Sequence, residues 1–249
     1  MAAFRIGIAG IVFEVHSLFD STRDYCKDYL TEKEPDHRIE VAREDLIFEQ
    51  EMLDEEAREE GLKRRRFSDP FLERTVIQRK VADCLLSRDI LLVHGSAVAV
   101  DGEGYLFTAK CGTGKSTHTR LWREAFGSRA VMVNDDKPFL KITPSGTTLY
   151  GAPWSGKHGL DTNTAVPLKG ICILNRGPEN RIQRISPEEA LPMLLHQTHQ
   201  PPDPAQLSRR KALVDTLTAT VPLWHMLCTP EVRAALTAWN AMSGHPFKP

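Results

Sequence analysis

Between Thr108 and His118 the chain reads TAKCGTGKSTH, and no other stretch narrows the fold as far. Backbone N–H groups that curl around an anion need residues free of Cβ strain, which Gly112 and Gly114 supply. Lys115 carries a compact charge on a long stem, suited to terminal phosphates. The Ser116 hydroxyl suits Mg²⁺, and a helix starting there aims its positive end at the anion. The pattern G-x-x-x-x-G-K-[ST] begins with glycine, whereas here Ala109 stands first. Alanine at a strand–loop junction costs little where φ is negative, and the later glycines carry the tighter geometry. A chance glycine turn would satisfy the loop alone. YLFTA before it reads as a strand and STHTRLWREAF after it as a helix, which is the context a phosphate loop requires. The expected nucleotide-binding residues are therefore Cys111, Gly112, Thr113, Gly114, Lys115, Ser116 and Thr117. Cys111 is read as a small neutral loop residue rather than a redox centre.

Phosphoryl transfer needs charge neutralised and a nucleophile positioned. AVMVNDDKPFL places Asp135 and Asp136 at the end of an apolar strand, one helix after the loop. One carboxylate of such a pair can hold Mg²⁺ while the other accepts a proton from an attacking hydroxyl. The plainer alternative is a solvated Asp–Asp turn. We take both as catalytic and assign the metal to Ser116 and Asp136. Lys137 beside them is either a salt-bridge partner or a substrate contact.

The rest of the chain is a mixture of short strands and helices. Residues 4–15 read as a strand or the start of a hairpin, not as a secretion signal, because no basic leader precedes them. Residues 44–66 are acidic and then basic, the mark of a solvated helix or irregular segment. A helix is expected from Glu73 to Leu86, then one β run over Ile90–Val100. Further strands are FLKIT, TTLYGAPW and LKGICIL. SPEEALPMLLHQ begins with a capping signature and reads as a helix. PPDP at 201–204 is a loop, followed by a strand near Val221–Met226 and a helix over Pro230–Met242. The break at Asp69–Pro70 suggests a small N-terminal α+β segment, 1–69, able to serve as a recognition element or lid. Residues 70–249 form the catalytic domain.

Composition removes several classes. A net charge of −1 gives no basic field for nucleic acid or an anionic membrane. No apolar run approaches the roughly 20 residues of a membrane-spanning helix. Five scattered cysteines without a CxxC pair suit neither a disulfide framework nor a metal cluster, and fit a reducing cytoplasm.

HGSAVAVDGEGYLFTAKCGTGKST followed by VNDD resembles the HPr kinase/phosphorylase catalytic domain and, more distantly, the nucleotide half of ATP-dependent phosphoenolpyruvate carboxykinase. The resemblance covers roughly residues 90–175. It implies an α/β kinase fold with a β-rich mixed sheet, ATP with Mg²⁺, and transfer to a serine hydroxyl. His94–Gly95 matches the family's His-Gly pair, and Asp135 and Asp136 its paired aspartates, with His94 orienting the base. The family's late glycine-rich signature is absent, so HPr itself is not the expected substrate. Tyr150–Leu174 instead resembles short HPr-kinase-related proteins that share a P-W-S-G-K element. On that likeness Lys157 stabilises the transferring phosphate, while Trp154, Ser155, Gly156, Lys157 and Asn163 contact the acceptor. The alternative for this segment is a surface turn over a core Trp154.

Three functions follow. The first is a kinase acting on a hydroxyl of a small metabolite or of a Ser or Thr in a peptide or small protein, as a monomer or homo-oligomer. The second is carboxykinase-type decarboxylation and phosphorylation of oxaloacetate. The third is a nucleotide-sensing module without turnover.

Overall fold

A computed structural model describes residues 2–59, 61 and 63–247. The chain forms two compact units, Met1–Leu85 and Leu86–Pro249.

The first unit opens on the hairpin of β1 (Ala2–Ile8) and β2 (Ile11–Ser17). Ala9 and Gly10 alone turn the chain, with φ of 51° and 84°, the two-residue geometry that matches strand twist. Helix α1 (Asp20–Tyr25) leads to β3 (His37–Glu40), which pairs parallel with β2. The acidic stretch is α2 (Arg43–Glu59). Helix α3 (Asp69–Leu86) follows the Asp69–Pro70 break. Glu73 on α3 accepts from the Leu18 N–H and the Thr22 hydroxyl, and Arg79 pairs with Glu49 at 2.8 Å and Glu56 at 2.7 Å on α2. These bonds tie α3 into the first unit, so the unit extends past the Asp69–Pro70 break to Leu85.

The second unit runs β4 (Ile90–Leu92), β5 (Ser96–Val100), β6 (Glu103–Thr108), α4 (Lys115–Phe126), β7 (Ala130–Asn134), β8 (Phe139–Thr143), β9 (Gly146–Tyr150) and β10 (Ala165–Arg176). Then come β11 (Arg181–Arg184), α5 (Pro187–Gln197), α6 (Pro204–Thr220), β12 (Leu223–Cys228) and α7 (Val232–Met242). The strands form one mixed sheet in the order β4-β8-β9-β10-β6-β5-β7, with β12 also on β10 and β11 outside β12. Strand β10 is its spine, parallel to β6 and β12 and antiparallel to β9. A period of two sorts the buried side chains onto opposite faces. Val98, Tyr105, Phe107 and Cys172 pack under α4 and α7, whereas Ala97, Leu106, Ile171 and Ile173 pack under α5 and α6. Trp122 of α4 is fully buried, 4.8 Å from Tyr105 and 5.3 Å from Phe107 by ring centroid. Its indole N–H donates to His118 Nε2 at 3.1 Å. That aromatic anchor fixes α4, and so the loop before it, to the sheet.

Three features differ from expectation. Ile90–Val100 is two strands, not one: β4 pairs with β8 and β5 with β6 and β7. Gly95 sits at the break, where a Cβ would stand 2.8 Å from Leu106 Cδ1 and 3.0 Å from Phe107 O. Helix α6 carries no expectation from the sequence. Its signal lies inside PPDP, where Asp203 caps Ala205 N–H at 2.9 Å and Pro204 starts the helix. Strand β11 was likewise unforeseen, since RIQR lacks an apolar alternation.

Candidate active site

Strand β6 delivers a buried Ala109 to the loop entrance. Gly112 and Gly114 have φ of 72° and 121°, values that disfavour any side chain. Gly114 is the N-cap of α4, whose first N–H groups have no helical partner. Lys115 is buried, and its Nζ donates to Ala109 O at 3.2 Å, so the ammonium lies against the loop's own backbone. From the end of β10, Arg176 donates Nε to Thr113 O at 3.1 Å and Nη2 to Gly112 O. A trans peptide points its N–H opposite its carbonyl, so the Thr113 carbonyl held by Arg176 turns the Gly114 N–H away from that guanidinium. No motif announces this clamp, because Arg176 lies outside all of them.

The carboxylates are held by Asn134, the fully buried last residue of β7. Its Oδ1 accepts from the N–H groups of Asp136 at 2.8 Å and Lys137 at 2.6 Å. Its Nδ2 donates to Ala152 O at 2.7 Å and Trp154 O at 3.3 Å. Asn134→Ala leaves these buried groups without partners and is expected to cost about 3 kcal/mol of stability. Chemical denaturation of the pure protein checks this, and a loss under about 0.5 kcal/mol would show that Asn134 is not the keystone.

Asp135 is buried, and its Oδ1 accepts from Ser96 Oγ at 2.6 Å. The same Ser96 hydroxyl meets Thr119 Oγ1 of α4 at 2.7 Å. Asp135 is thereby linked through β5 to the helix that carries Ser116. Asp136 has a different partner. Its Oδ1 lies 3.3 Å from His94 Nε2, with both side chains about a third exposed, at 32% and 29%. The His94 carbonyl accepts from Thr108 Oγ1 at 3.0 Å and Gly95 N–H donates to Asp136 O at 3.0 Å, which locks the pair in register. Burial lowers the His94 pKa to about 2, and the charges of Lys137, Lys115 and His196 act in the same direction. That direction favours the neutral ring beside Asp136. Burial raises the Asp136 pKa above the ordinary carboxylate value; Lys137 and Lys115 oppose that shift and Asp135 adds to it.

The P-W-S-G-K segment runs beside the end of β7. Asp135 N–H donates to Leu160 O at 3.0 Å and Thr162 N–H to Val133 O at 3.2 Å. Gly156, with φ of 70°, lies over Asp136, where a Cβ would be 3.3 Å from Asp136 Cβ. Exposed Lys157 follows in the short turn Gly156–His158. Ser155 is buried and donates to Asp161. Trp154 is 5% exposed and meets Phe139 edge-on at 6.3 Å, so its ring belongs to the core. Asn163 is exposed. The fold thus gathers Lys115, Ser116, Asp135, Asp136, His94 and Gly156, while Trp154 contributes backbone. Cys111 is exposed in the loop as a free thiol.

Among the described residues no set of three or more His, Cys, Asp or Glu side chains could hold a metal. The Ser116 hydroxyl and an aspartate carboxylate are oxygen donors of the kind Mg²⁺ takes, the rest of its shell coming from phosphates and water. A cleft of about 510 Å³ opens at the opposite end of β6, lined by Asp101, Glu103, Arg129 and Trp239. Its charges are already paired, Asp101 with Arg129 at 2.7 Å and Glu103 with Lys169 at 2.9 Å. Among the described residues no helix is long and apolar enough to cross a membrane.

Neither a protein-family model nor a curated protein sequence matches the chain. Among solved structures, the Hpr(Ser) kinase/phosphatase from Coxiella burnetii superposes with a TM-score of 0.36 at 13% identity, over 62% of this chain and 95% of that one. The roles of individual residues therefore rest on this chain's own geometry.

Proposed function

We propose that the protein is an ATP- and Mg²⁺-dependent phosphotransferase that moves the γ-phosphate to a hydroxyl of a small metabolite or of a Ser or Thr in a peptide. One observation carries this reading. The Asp135–Ser96–Thr119 hydrogen bonds couple a strand-end carboxylate to the phosphate-loop helix, while the next residue, Asp136, meets His94 at 3.3 Å.

The two carboxylates divide the work by environment. Asp136, partly open and with a raised pKa, suits the base that takes the acceptor's proton. His94 holds its orientation. Asp135, buried beside α4, suits a Mg²⁺ ligand together with Ser116. This reverses the sequence-based choice of Asp136 for the metal. When bound, Mg²⁺ supplies charge neutralisation for the phosphates. Lys115 and the α4 N-terminus hold the terminal phosphates. Lys157, on the turn over Asp136, supplies a cation to the transferring group.

The test is incubation with γ-labelled ATP, Mg²⁺ and a pool of hydroxyl metabolites and Ser/Thr peptides, with label followed by mass spectrometry. Label on an acceptor is the expected result. Label only in free phosphate, or none moved, would turn the site into a nucleotide sensor.

A further inference from the structure

Two groups next to the His94–Asp136 pair in chain or strand register have no task in holding nucleotide. Lys137 is half-buried, and its backbone is pinned by Asn134. Among the described residues its ammonium makes no ion pair or hydrogen bond, yet its charge acts on both His94 and Asp136. Gln197 ends α5 and is 5% exposed. Its carbonyl accepts from His94 N–H at 2.7 Å, and a bridge between Val93 and Thr198 sets Gln197 opposite His94. Its side-chain Oε1 is buried without a partner among the described residues. A buried acceptor without a donor is costly, and a cation with no partner of its own is open to an anion. One ligand that carries a donor and a negative charge would meet both groups.

We propose that Lys137 and Gln197, with His94 and Asp136, form the acceptor subsite, and that the acceptor is an alcohol bearing an anionic group, carboxylate or phosphate, next to its reacting hydroxyl. This rests on the phosphotransferase reading and narrows its substrate. Lys137 takes the anion and Gln197 Oε1 a donor of the acceptor. The acceptor oxygen bonds to the γ-phosphorus as the bond to the β,γ-bridging oxygen breaks. That electron pair leaves with ADP, and the hydroxyl proton passes to Asp136.

Three probes share a three-carbon skeleton and differ in charge: glycerol, glycerate and glycerol 3-phosphate. Their binding is measured by calorimetry with a non-hydrolysable Mg–ATP analogue present, and their phosphorylation with ATP, for the wild type, Lys137→Met, Lys137→Arg and Gln197→Leu. The wild type is expected to favour at least one anionic probe over glycerol by about tenfold or more, the ratio one ordinary charge contact gives. Lys137→Met should erase that preference through KM, and Lys137→Arg should restore part of it. Gln197→Leu should weaken all three. Glycerate against glycerol 3-phosphate tells carboxylate from phosphate. Equal binding of all three probes, binding of none while nucleotide binds, or an unchanged preference in Lys137→Met overturns the subsite. Binding of an anionic probe that Lys137→Met abolishes, without any transfer, upholds the subsite and removes the phosphotransferase reading instead.

Discussion

Asp136→Asn is expected to lower the rate of phosphate transfer by about 10²–10⁴, the usual contribution of a positioned general base. Asparagine keeps the shape and can keep the contact with His94, so the Kd of Mg–ATP should stay within a few-fold. Only ionised Asp136 accepts a proton, and burial raises its pKa. The wild-type rate should therefore climb with pH through a limb above the ordinary carboxylate range, and the variant should lack that limb. Asp135→Asn should do the opposite and weaken the Mg²⁺ dependence of ATP binding, because Asp135 is tied through Ser96 to the loop helix. Single-turnover rates and magnesium titrations of both variants separate the roles. An exchange of the two phenotypes would return the metal to Asp136, and full activity in both would discard the carboxylate assignment.

Lys115→Ala is expected to abolish stabilisation by Mg–ATP. A ligand at 100 times its Kd adds about 2.7 kcal/mol, a Tm rise of roughly 5–10 °C for a unit of this size. The alanine has no charge to offer the phosphates and releases Ala109 O from its bond. The quantity to read is the nucleotide-induced shift in each protein rather than Tm itself, since a buried lysine also affects the unliganded fold. A shift equal to that of the wild type would sink the loop assignment.

Much of this site is legible from the chain. GTGKS between a β-run and a helical run fixes a strand–loop–helix unit, since the covalent spacing brings glycines, lysine and serine to one turn wherever the unit is placed. VNDD likewise foretells two carboxylates at a strand end. The capping box of α5 follows from SPEE, with Ser186 accepting from Glu189 N–H and Glu189 from Ser186 N–H. These are local matters, decided by backbone geometry within a few residues.

What the chain could not tell is which distant groups meet. Arg176 reaches the loop only because β10 lies parallel to β6. Ser96 reaches Asp135 and Thr119 only because β5 pairs with both β6 and β7. His94 meets Asp136 because Gly95 breaks an apolar run that reads as one strand. Gln197 comes to His94 from the end of α5. Trp154 looked like a binding residue beside glycines and a lysine, but its burial against Phe139 was settled by the sheet. Periodicity and spacing specify neighbours within an element. Strand order depends on which faces bury the most apolar surface together, and that is a property of the assembled fold. Spacing along the chain thus predicts a strand–loop–helix unit and two aspartates at a strand end, whereas only the assembled sheet joins Asp135 to Ser96 and Asp136 to His94.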